Sequence, residues 1–425
     1  MKSYNEYSKE ELRLELEELN KKYKEYQNLN LNLNMARGKP NTAQINFSMP
    51  MMNVLTNDDN YIASDGQDVR NYGDLPGIPE ARKLFADYLG IEPEETLVMG
   101  NASLNIMYDC VARAMLKGVL GSEKPWCKYD EIKFICPVPG YDRHFTICEF
   151  LGIKMIPVKL TEWGPDMKTI QELVKDETVK GIWCVPKYTN PYGGCYSDEA
   201  VKQLASMETA AKDFRIFWDN AYAYHYVYKD VEVLNILDEC KKAGFPNRPY
   251  IFGSTSKITF PGSGVSFFGA SKENIEFSMK QLNAESISWD KINMLRHVKF
   301  LKDLDGIKSL LDKHANALRP KFDIVLNMLD TELSGLDAGS WVKPDGGYFV
   351  TFIAKNNCAK RIYQLCKECG LTMTEPGATH PYHLDPDDSF LRIAPSYPSE
   401  EELKQAMIIF TLSAKISTVE RLLNK

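Results

Sequence analysis

Between about residues 60 and 320, short apolar runs alternate with longer amphipathic stretches. Seven of the runs are rich in β-branched and aromatic residues, and several are apolar at every position, as strands covered by helices on both faces must be. These runs are TLVMGN, IKFICPV, KMIPVKL, GIWCVP, RIFWDN, YIFGSTS and VSFFGAS. The spacings between them leave room for crossover helices. The pattern predicts an α/β domain around a seven-stranded, mainly parallel sheet.

After residue 320 the pattern changes to a helix, a strand (GSWVKPDGGYFVTF), a helix, a strand (SFLRIAP) and a long last helix. A capping box from Ser399 to Glu402 opens that last helix. We read this part as a smaller α+β domain that also takes in the N-terminal segment. The expected division is therefore a large domain over residues 60–320 and a small domain formed by residues 1–59 and 321–425.

Residues 8–26 predict an N-terminal helix, because Ser8 and Glu11 form a capping box and an apolar stripe follows. The stripe consists of Leu12, Leu16, Leu19, Tyr23 and Tyr26. It requires a surface to pack on, either in its own domain or in a partner subunit, and the sequence leaves both open. The alternating stretch that follows ends at RGKP, residues 37–40, which is typical of a turn.

The composition, 44% hydrophobic and 26% charged over 425 residues, is that of a globular protein. A formal charge of −7 and the lack of a long Lys/Arg run argue against nucleic acid or an anionic membrane as the main partner. A small-molecule substrate is the better expectation. Because we find neither a signal-peptide core nor an apolar run near the ~20 residues of a membrane span, we expect a cytoplasmic protein.

The ten cysteines are scattered, and only Cys366 and Cys369 form a C-x-x-C pair. No second Cys or His pair of comparable spacing follows, so we expect no metal site. Reduced cysteines packed as small apolar residues in a reducing compartment are the expected state.

Polar side chains follow three of the predicted strands, where ligands of open α/β sheets bind. They are Asn190 in GIWCVPKYTNPYGG, Asp219 in RIFWDNAYAY and Lys257 in IFGSTSK. A turn, a solvated cap or a surface lysine would explain any one of them alone. The ordered set of N-P-x-G, D-x-A-Y and S-x-x-K is a much stronger signal than any single motif.

This set resembles the class I aminotransferases, which are fold-type I pyridoxal-phosphate enzymes. The resemblance extends over nearly the whole chain and includes RGKP, NYGDLPG at 71–77, PVPGYDRHF at 137–145 and FLRIAPSYP at 390–398. In detail the chain is most similar to the bacterial aspartate aminotransferases of the Ic subgroup. The resemblance implies the fold-type I PLP-transferase architecture, pyridoxal 5'-phosphate (PLP) as cofactor, and a homodimer with active sites at the interface.

By this resemblance, Lys257 would hold the cofactor as a Schiff base and, once displaced by substrate, act as general base and then acid. Asp219 would pair with the pyridine nitrogen, because a nearby carboxylate favours the protonated ring that withdraws electrons. Asn190 and Tyr222 would donate hydrogen bonds to the ring hydroxylate. Tyr141, in P-G-Y, would stack on the ring face.

The resemblance also implies where the cofactor phosphate lies. Ala102 and Ser103 would start a helix whose free N–H groups suit an anion. Ser254, and with it Ser256, would bind the phosphate beside the lysine, and Tyr72 would reach it across a dimer interface.

One departure from the family pattern concerns the phosphate. Many class I aminotransferases place an arginine eight or nine residues after the lysine to hold the phosphate. Here the corresponding stretch is ITFPGSGVSFF, and no arginine occurs between Lys257 and Arg296. The sequence therefore leaves open which group replaces that arginine.

The substrate would be held by Arg392 in F-L-R-I-A, whose guanidinium suits a bidentate pair with the α-carboxylate. Gly38 would add a backbone contact. Arg37 and Arg143 flank positions of the expected site and could bind a second carboxylate, while Asn190 would also contact substrate. We expect transamination of aspartate or glutamate with a 2-oxo acid such as 2-oxoglutarate.

Three alternatives stay open at this point. The same cofactor chemistry serves another reaction at Cα or Cβ, such as β-lysis or decarboxylation. The donor could be a different amino acid. A non-catalytic PLP-binding protein is disfavoured by the intact lysine and by the absence of any appended DNA-binding domain.

Overall fold

The computed structural model describes residues 2–424 and contains two small sheets and one large one. The strands in chain order are β1 (Leu33–Asn34), β2 (Thr96–Val98), β3 (Lys133–Val138), β4 (Lys154–Thr161), β5 (Gly164–Pro165), β6 (Val179–Cys184), β7 (Arg215–Asp219), β8 (Pro249–Ser254), β9 (Ser266–Gly269), β10 (Gly339–Trp341), β11 (Val350–Ala354), β12 (Leu371–Thr372) and β13 (Phe390–Ile393).

Helices pack on these sheets and connect their strands. In chain order they are α1 (Lys9–Gln27), α2 (Thr42–Asn46), α3 (Pro79–Leu89), α4 (Ser103–Lys117), α5 (Asp142–Phe150), α6 (Met167–Leu173), α7 (Asp198–Ser206), α8 (Ile236–Lys242), α9 (Lys272–Leu282), α10 (Lys291–Leu301), α11 (Leu304–Leu333), α12 (Ala359–Glu368) and α13 (Glu400–Leu423).

The large sheet has eight strands in the order β2-β9-β8-β7-β6-β3-β4-β5. The pairs from β8 through β7, β6 and β3 to β4 are parallel, whereas β9 runs antiparallel to both of its neighbours. All seven predicted runs form strands of this sheet. The two-residue β5, antiparallel to β4 at the edge, is the one addition to the predicted set. The prediction of a mainly parallel α/β sheet is confirmed.

The core of this part lies on both faces of the sheet, because consecutive strand residues point to opposite sides. Ile182 and Ile216 are fully buried in the cluster on one face. Their neighbours Trp183 and Phe217 belong to the cluster on the other face, where their ring centroids lie 4.7 Å apart. Burial on both faces explains why these strands are continuously apolar in the sequence.

The stretch GSWVKPDGGYFVTF was predicted as one strand and forms two, β10 and β11, which pair antiparallel. The chain turns between them through Gly346 and Gly347. Gly347 has φ +81°, which favours glycine. A Cβ at Gly346 would lie 2.5 Å from the carbonyl oxygen of His225, so this close approach requires glycine as well. β11 also pairs with β13, opposite Arg392.

The N-terminal helix α1 begins with the predicted capping box at Ser8 and packs on α13 of its own chain. Leu12, Leu19 and Tyr23 are buried there, and the Tyr23 hydroxyl donates to the carbonyl oxygen of Leu365 at 2.8 Å. Of the two surfaces that the sequence left open for the apolar stripe, the structure places it on its own domain. The last helix also starts with its predicted capping box at Ser399.

The buried apolar residues form three clusters, and their positions in the sequence are those that the expected domain division would require. The two clusters at the large sheet draw on residues 63–311, whereas the third joins residues 4–35 mainly to residues 318–419. Because α11 runs through residue 320 without a break, the exact limits, 60–320 against 1–59 with 321–425, stay a proposal. None of the helices within residues 2–424 combines the length and the apolar composition that a membrane span requires.

Candidate active site

A cavity of about 320 Å³ lies at the carboxyl ends of the central strands. Ten of the fourteen candidate residues line it, although they come from distant parts of the chain. They are Arg37, Gly38, Ser103, Tyr141, Arg143, Asn190, Asp219, Tyr222, Lys257 and Arg392.

Asp219, the last residue of β7, is buried with one oxygen paired and one free. Its Oδ2 lies 3.1 Å from Nε2 of His144, whereas its Oδ1 has no hydrogen-bond partner within residues 2–424. The His144 ring stacks on Trp183, with centroids 4.3 Å apart and planes 8° apart. A buried carboxylate oxygen without a partner is costly unless a ligand satisfies it.

His144 is a residue of the site that the sequence analysis did not identify. It lies three residues after Tyr141 in PVPGYDRHF, which is about one helical turn, on α5. That spacing was the available signal, because a helix starting at Tyr141 places both side chains on one face. The rings of Tyr141 and His144 are in edge-to-face contact, with their centroids 5.1 Å apart.

Lys257 follows β8 by three residues, and its Nζ lies 4.8 Å from the ring centroid of Tyr222. Burial lowers the pKa of this amine, and the negative charge of Asp219 opposes the shift. The lowered pKa favours the unprotonated amine, which is the form that attacks a carbonyl carbon. The Lys257 segment is held by main-chain N–H groups of Ile258 and Thr259, which both donate to the Thr255 carbonyl oxygen.

The tyrosines of the cavity remain protonated at neutral pH. Burial, with a smaller contribution from Asp219, raises the pKa of Tyr141 to about 12. Burial raises the pKa of Tyr222 well above its ordinary value. Both phenols are therefore available as hydrogen-bond donors. Asn190 is also buried, six residues beyond the end of β6.

Arg392 on β13 is held in place by neutral groups. Its Nη2 donates to Thr374 Oγ1 at 2.9 Å, its Nη1 donates to Asn190 Oδ1 at 3.4 Å, and the guanidinium lies 4.6 Å from the ring centroid of Phe349. Its Nε is buried without a hydrogen-bond partner in the described part of the chain. The group is thus oriented but not neutralised, as a carboxylate-binding arginine must be.

The two other cavity arginines are also without a carboxylate. Across residues 2–424, no carboxylate lies within 4.0 Å of the side-chain nitrogens of Arg37, Arg143 or Arg392. Arg37 and Arg143 are exposed. Gly38, beside Arg37, packs so closely on Phe349 that an added Cβ would lie 2.4 Å from the ring. A larger residue at this position would displace the ring that supports Arg392.

The expected phosphate end lies at the start of α4. Ala102 is the N-cap of this helix and Ser103 its first residue, as predicted. Ser254 Oγ donates to Ser256 Oγ at 3.1 Å, and Ser256 Oγ reaches the Asn101 carbonyl oxygen at 3.5 Å. The two serines are therefore next to the helix start, although Ala102, Ser254 and Ser256 do not line the cavity itself.

Tyr72 is not brought to the cavity by its own chain. It lies on the loop before α3 and is 76% exposed. An aromatic side chain this exposed is available to another subunit.

These groups fit PLP, the cofactor that the resemblance implies. The cavity offers an amine, an unpaired buried carboxylate oxygen and a tyrosine ring, and a helix N-terminus lies beside two serine hydroxyls. In the part of the chain that the structure describes, no three His, Cys, Asp or Glu side chains cluster closely enough to hold a metal ion.

Comparison with known proteins supports the same family. The model of the aspartate amino-transferase family matches residues 7–425. An aspartate aminotransferase of Corynebacterium glutamicum is 42% identical over 406 residues, which are 95% of this chain and 94% of that protein. The solved structure of an aspartate transaminase from the same species superposes with a TM-score of 0.96 at 41% identity, covering 99% of both chains.

A more distantly related solved structure is similar to this chain in fold only. The α-aminoadipate aminotransferase LysN of Thermus thermophilus superposes with a TM-score of 0.74 at 19% identity, over 92% of this chain and 93% of that one. The expected fold-type I architecture is thereby confirmed. The chain belongs to the aspartate aminotransferase family and is an aspartate-aminotransferase-like aminotransferase.

Proposed function

We propose that this aminotransferase transfers the amino group of aspartate or glutamate to a 2-oxo acid such as 2-oxoglutarate, with PLP bound at Lys257. The observation that carries the proposal is the set of arginines without carboxylate partners in residues 2–424, Arg37, Arg143 and Arg392, in one cavity with Lys257. A dicarboxylic acid has two negative groups to pair with them. The aspartate aminotransferase from Corynebacterium glutamicum supports the same substrate class.

PLP, when bound, supplies a protonated pyridine ring that withdraws electrons from bonds at the Cα atom of an amino acid. Asp219 would accept a hydrogen bond from the ring nitrogen through its free Oδ1 and stabilise the proton there. His144 fixes the other oxygen of that carboxylate. Tyr222 and Asn190 would donate to the ring oxygen, and Tyr141 would cover one face of the ring.

Lys257 has two tasks in this account. Its amine, favoured in the neutral form by burial, would hold the cofactor. Once substrate has taken its place, the same amine would accept the proton from Cα as a general base and then donate it as a general acid. Both tasks need a base at one fixed position, and the Thr255 carbonyl contacts hold the lysine segment there.

The substrate would be oriented by its carboxylates. Arg392 would bind the α-carboxylate with two parallel hydrogen bonds, and the backbone at Gly38 would approach the same group. Arg37 or Arg143 would pair with the distal carboxylate. A monocarboxylic donor such as alanine lacks the group for this second pair.

We propose that the protein is a homodimer in the cytoplasm. Tyr72 is exposed, yet its loop is firmly held: Lys291 Nζ donates to the Tyr72 carbonyl oxygen at 3.3 Å and pairs with Asp74 at 3.1 Å. A fixed loop with an exposed aromatic ring suits a contact with a second subunit. The ten cysteines, unpaired in the structure, are compatible with a reducing compartment.

A half-reaction tests the proposed function. When aspartate or glutamate is added without a 2-oxo acid, the visible absorbance of the bound cofactor should change to that of pyridoxamine phosphate, and 2-oxoglutarate should reverse the change. A β-lyase or decarboxylase would release its product without accumulating pyridoxamine phosphate, and a non-catalytic binding protein would show no change. A panel of amino donors against 2-oxoglutarate then measures the donor preference.

A further inference from the structure

The phosphate end of the site lacks a cation on the segment that follows the lysine. Between Lys257 and Ser266 there is neither arginine nor lysine. The groups assembled there, Ser254, Ser256 and the N-terminus of α4 at Ser103, are neutral. A phosphate monoester has a charge of about −1.5 to −2 near neutral pH, and burying such a charge is unfavourable without a compensating cation.

Arg296 on α10 is the cation that the structure places against this segment. Its Nη2 donates to Ser263 Oγ at 2.9 Å and to Asn293 Oδ1 at 2.5 Å. Its Nε is buried without a hydrogen-bond partner in the described residues, and within the same range no carboxylate forms an ion pair with it. The guanidinium is therefore oriented by neutral groups and is not paired with a carboxylate among the described residues, as is also the case for the cavity arginines.

Ser263 and Gly264 connect this guanidinium to the phosphate end. A Cβ at Gly264 would lie 3.4 Å from the Ser256 backbone nitrogen and 3.1 Å from the Asn101 carbonyl oxygen. Asn293 Nδ2 fixes the same stretch by donating to the Gly264 carbonyl oxygen at 2.9 Å. Asn101 directly precedes the N-cap of α4. Only a short piece of backbone thus separates the Arg296 contact from both segments expected to bind phosphate.

Helix α10 supports the whole phosphate end and not this contact alone. Nε2 of His297 lies 3.2 Å from Thr255 Oγ1 and 2.9 Å from Thr259 Oγ1, on either side of the lysine. Lys291, at the start of the helix, holds the Tyr72 loop. A charge on this helix is consequently held at a fixed distance from the cofactor-binding segments.

We infer that Arg296, oriented by Ser263 and Asn293, supplies the positive charge that binds the cofactor phosphate. The inference rests on the proposed function, since it takes PLP as the ligand. It also assigns a residue to the role left open by the missing arginine after Lys257.

The test compares PLP with pyridoxal, which has the same ring and aldehyde but no phosphate. Dissociation constants of both are measured by absorbance titration of the cofactor-free protein. We expect Arg296→Gln to weaken PLP about 10- to 50-fold, the loss of one charge-assisted interaction, and to change pyridoxal less than about twofold. Lys299→Gln is the matched control, because it removes one charge from the same helix at a residue that pairs with Asp59.

Arg296→Lys should recover part of the PLP affinity, because it restores the charge without the forked geometry. Ser263→Ala, which removes a contact that orients Arg296, should shift the PLP-to-pyridoxal ratio in the same direction by about threefold. If Arg296→Gln does not fold, the Ser263 variant tests whether Arg296 contributes to phosphate binding.

The inference is overturned if the ratio of the PLP to the pyridoxal dissociation constant is unchanged in the folded Arg296 and Ser263 variants. It is also overturned if Lys299→Gln changes this ratio as much as they do. Failure of the proposed function gives a different result. If the protein is not a PLP enzyme, the wild type would bind neither PLP nor pyridoxal covalently. If it catalyses another PLP-dependent reaction, the comparison of PLP with pyridoxal is unaffected, and the half-reaction described above fails instead.

Discussion

His144 and Asp219 form a buried pair, with Nε2 of the imidazole 3.1 Å from Oδ2 of the carboxylate. Because the His144 ring is stacked on Trp183, the histidine can hold the carboxylate in one orientation. The remaining oxygen, Oδ1, is left without a partner among residues 2–424. The pair therefore presents one defined acceptor at the end of β7.

His144→Phe tests this relationship, because phenylalanine keeps the stacking on Trp183 and removes the nitrogen. We expect kcat to fall about tenfold, the worth of one oriented hydrogen bond, with little change in KM. Asp219→Ala should lower kcat by at least ~10³-fold, about 4 kcal/mol, because the loss falls on the charged transition state. Steady-state kinetics of both variants measure the difference. Near-normal turnover of Asp219→Ala would mean that another group holds the ring nitrogen.

The dicarboxylate preference is tested by the ratio of kcat/KM for aspartate to that for alanine. A charge-assisted pair contributes ~1.5–3 kcal/mol, so losing Arg37 or Arg143 should lower kcat/KM for aspartate about 10- to 150-fold. Alanine, which has no distal carboxylate, should be nearly unaffected. Lys39→Ala is the control, because Lys39 is an exposed cation near Arg37 that lies over the Tyr397 ring instead of in the cavity.

Two outcomes of this comparison would contradict the proposal. If neither arginine variant shifts the ratio by more than about twofold, the distal carboxylate is not bound by these residues. If Lys39→Ala shifts it as much as they do, the effect is one of general surface charge.

Local features of this fold could be predicted from the sequence because their causes are local. The capping boxes at Ser8 and Ser399 depend on residues three positions apart, and the strands are indicated by the spacing of apolar residues. The hairpin of β10 and β11 has a local turn signal, D-G-G at residues 345–347, which the prediction of a single strand overlooked. The approach of Gly346 to the backbone of His225, in contrast, joins distant parts of the chain. No local pattern reports such a contact.

The candidate site likewise contains residues that could be predicted from the sequence and residues that could not. Residues at strand ends, such as Asp219, could be placed together because parallel strands end at one edge of the sheet. His144 meets Asp219 across 75 residues, and Arg296 meets the lysine segment through the packing of α10. The role proposed for Tyr72 would require a second chain, which no single-chain pattern contains.

Acid should destabilise the protein through its buried histidines. Burial lowers the pKa of His297 and of His314 to about 4, with Arg296 adding to the effect at His297 and Asp290 opposing it. In the unfolded chain both should titrate near the ordinary ~6.5. Between these values the unfolded state binds more protons, so each histidine should cost up to about 3 kcal/mol of stability as the pH falls from ~6.5 to ~4.

Urea unfolding of wild type and His297→Gln at pH 7.5, 6 and 5 measures this effect. The carboxylates contribute equally to both proteins. The difference between the two slopes of unfolding free energy against pH therefore measures the contribution of His297. We expect the free energy of unfolding to fall less steeply with acid in the variant. Parallel pH profiles would show that His297 does not titrate between the two states.

The central claim is that Lys257 holds the cofactor, and borohydride reduction followed by peptide mapping tests it most directly. The nearest rival is Lys187, which precedes Asn190 by three residues but pairs with Asp230 at 2.5 Å and lines a different cavity. We predict that the reduced cofactor is found on Lys257 and that Lys257→Ala abolishes covalent attachment. Recovery of the label on Lys187 or any other lysine of the wild type would contradict the account.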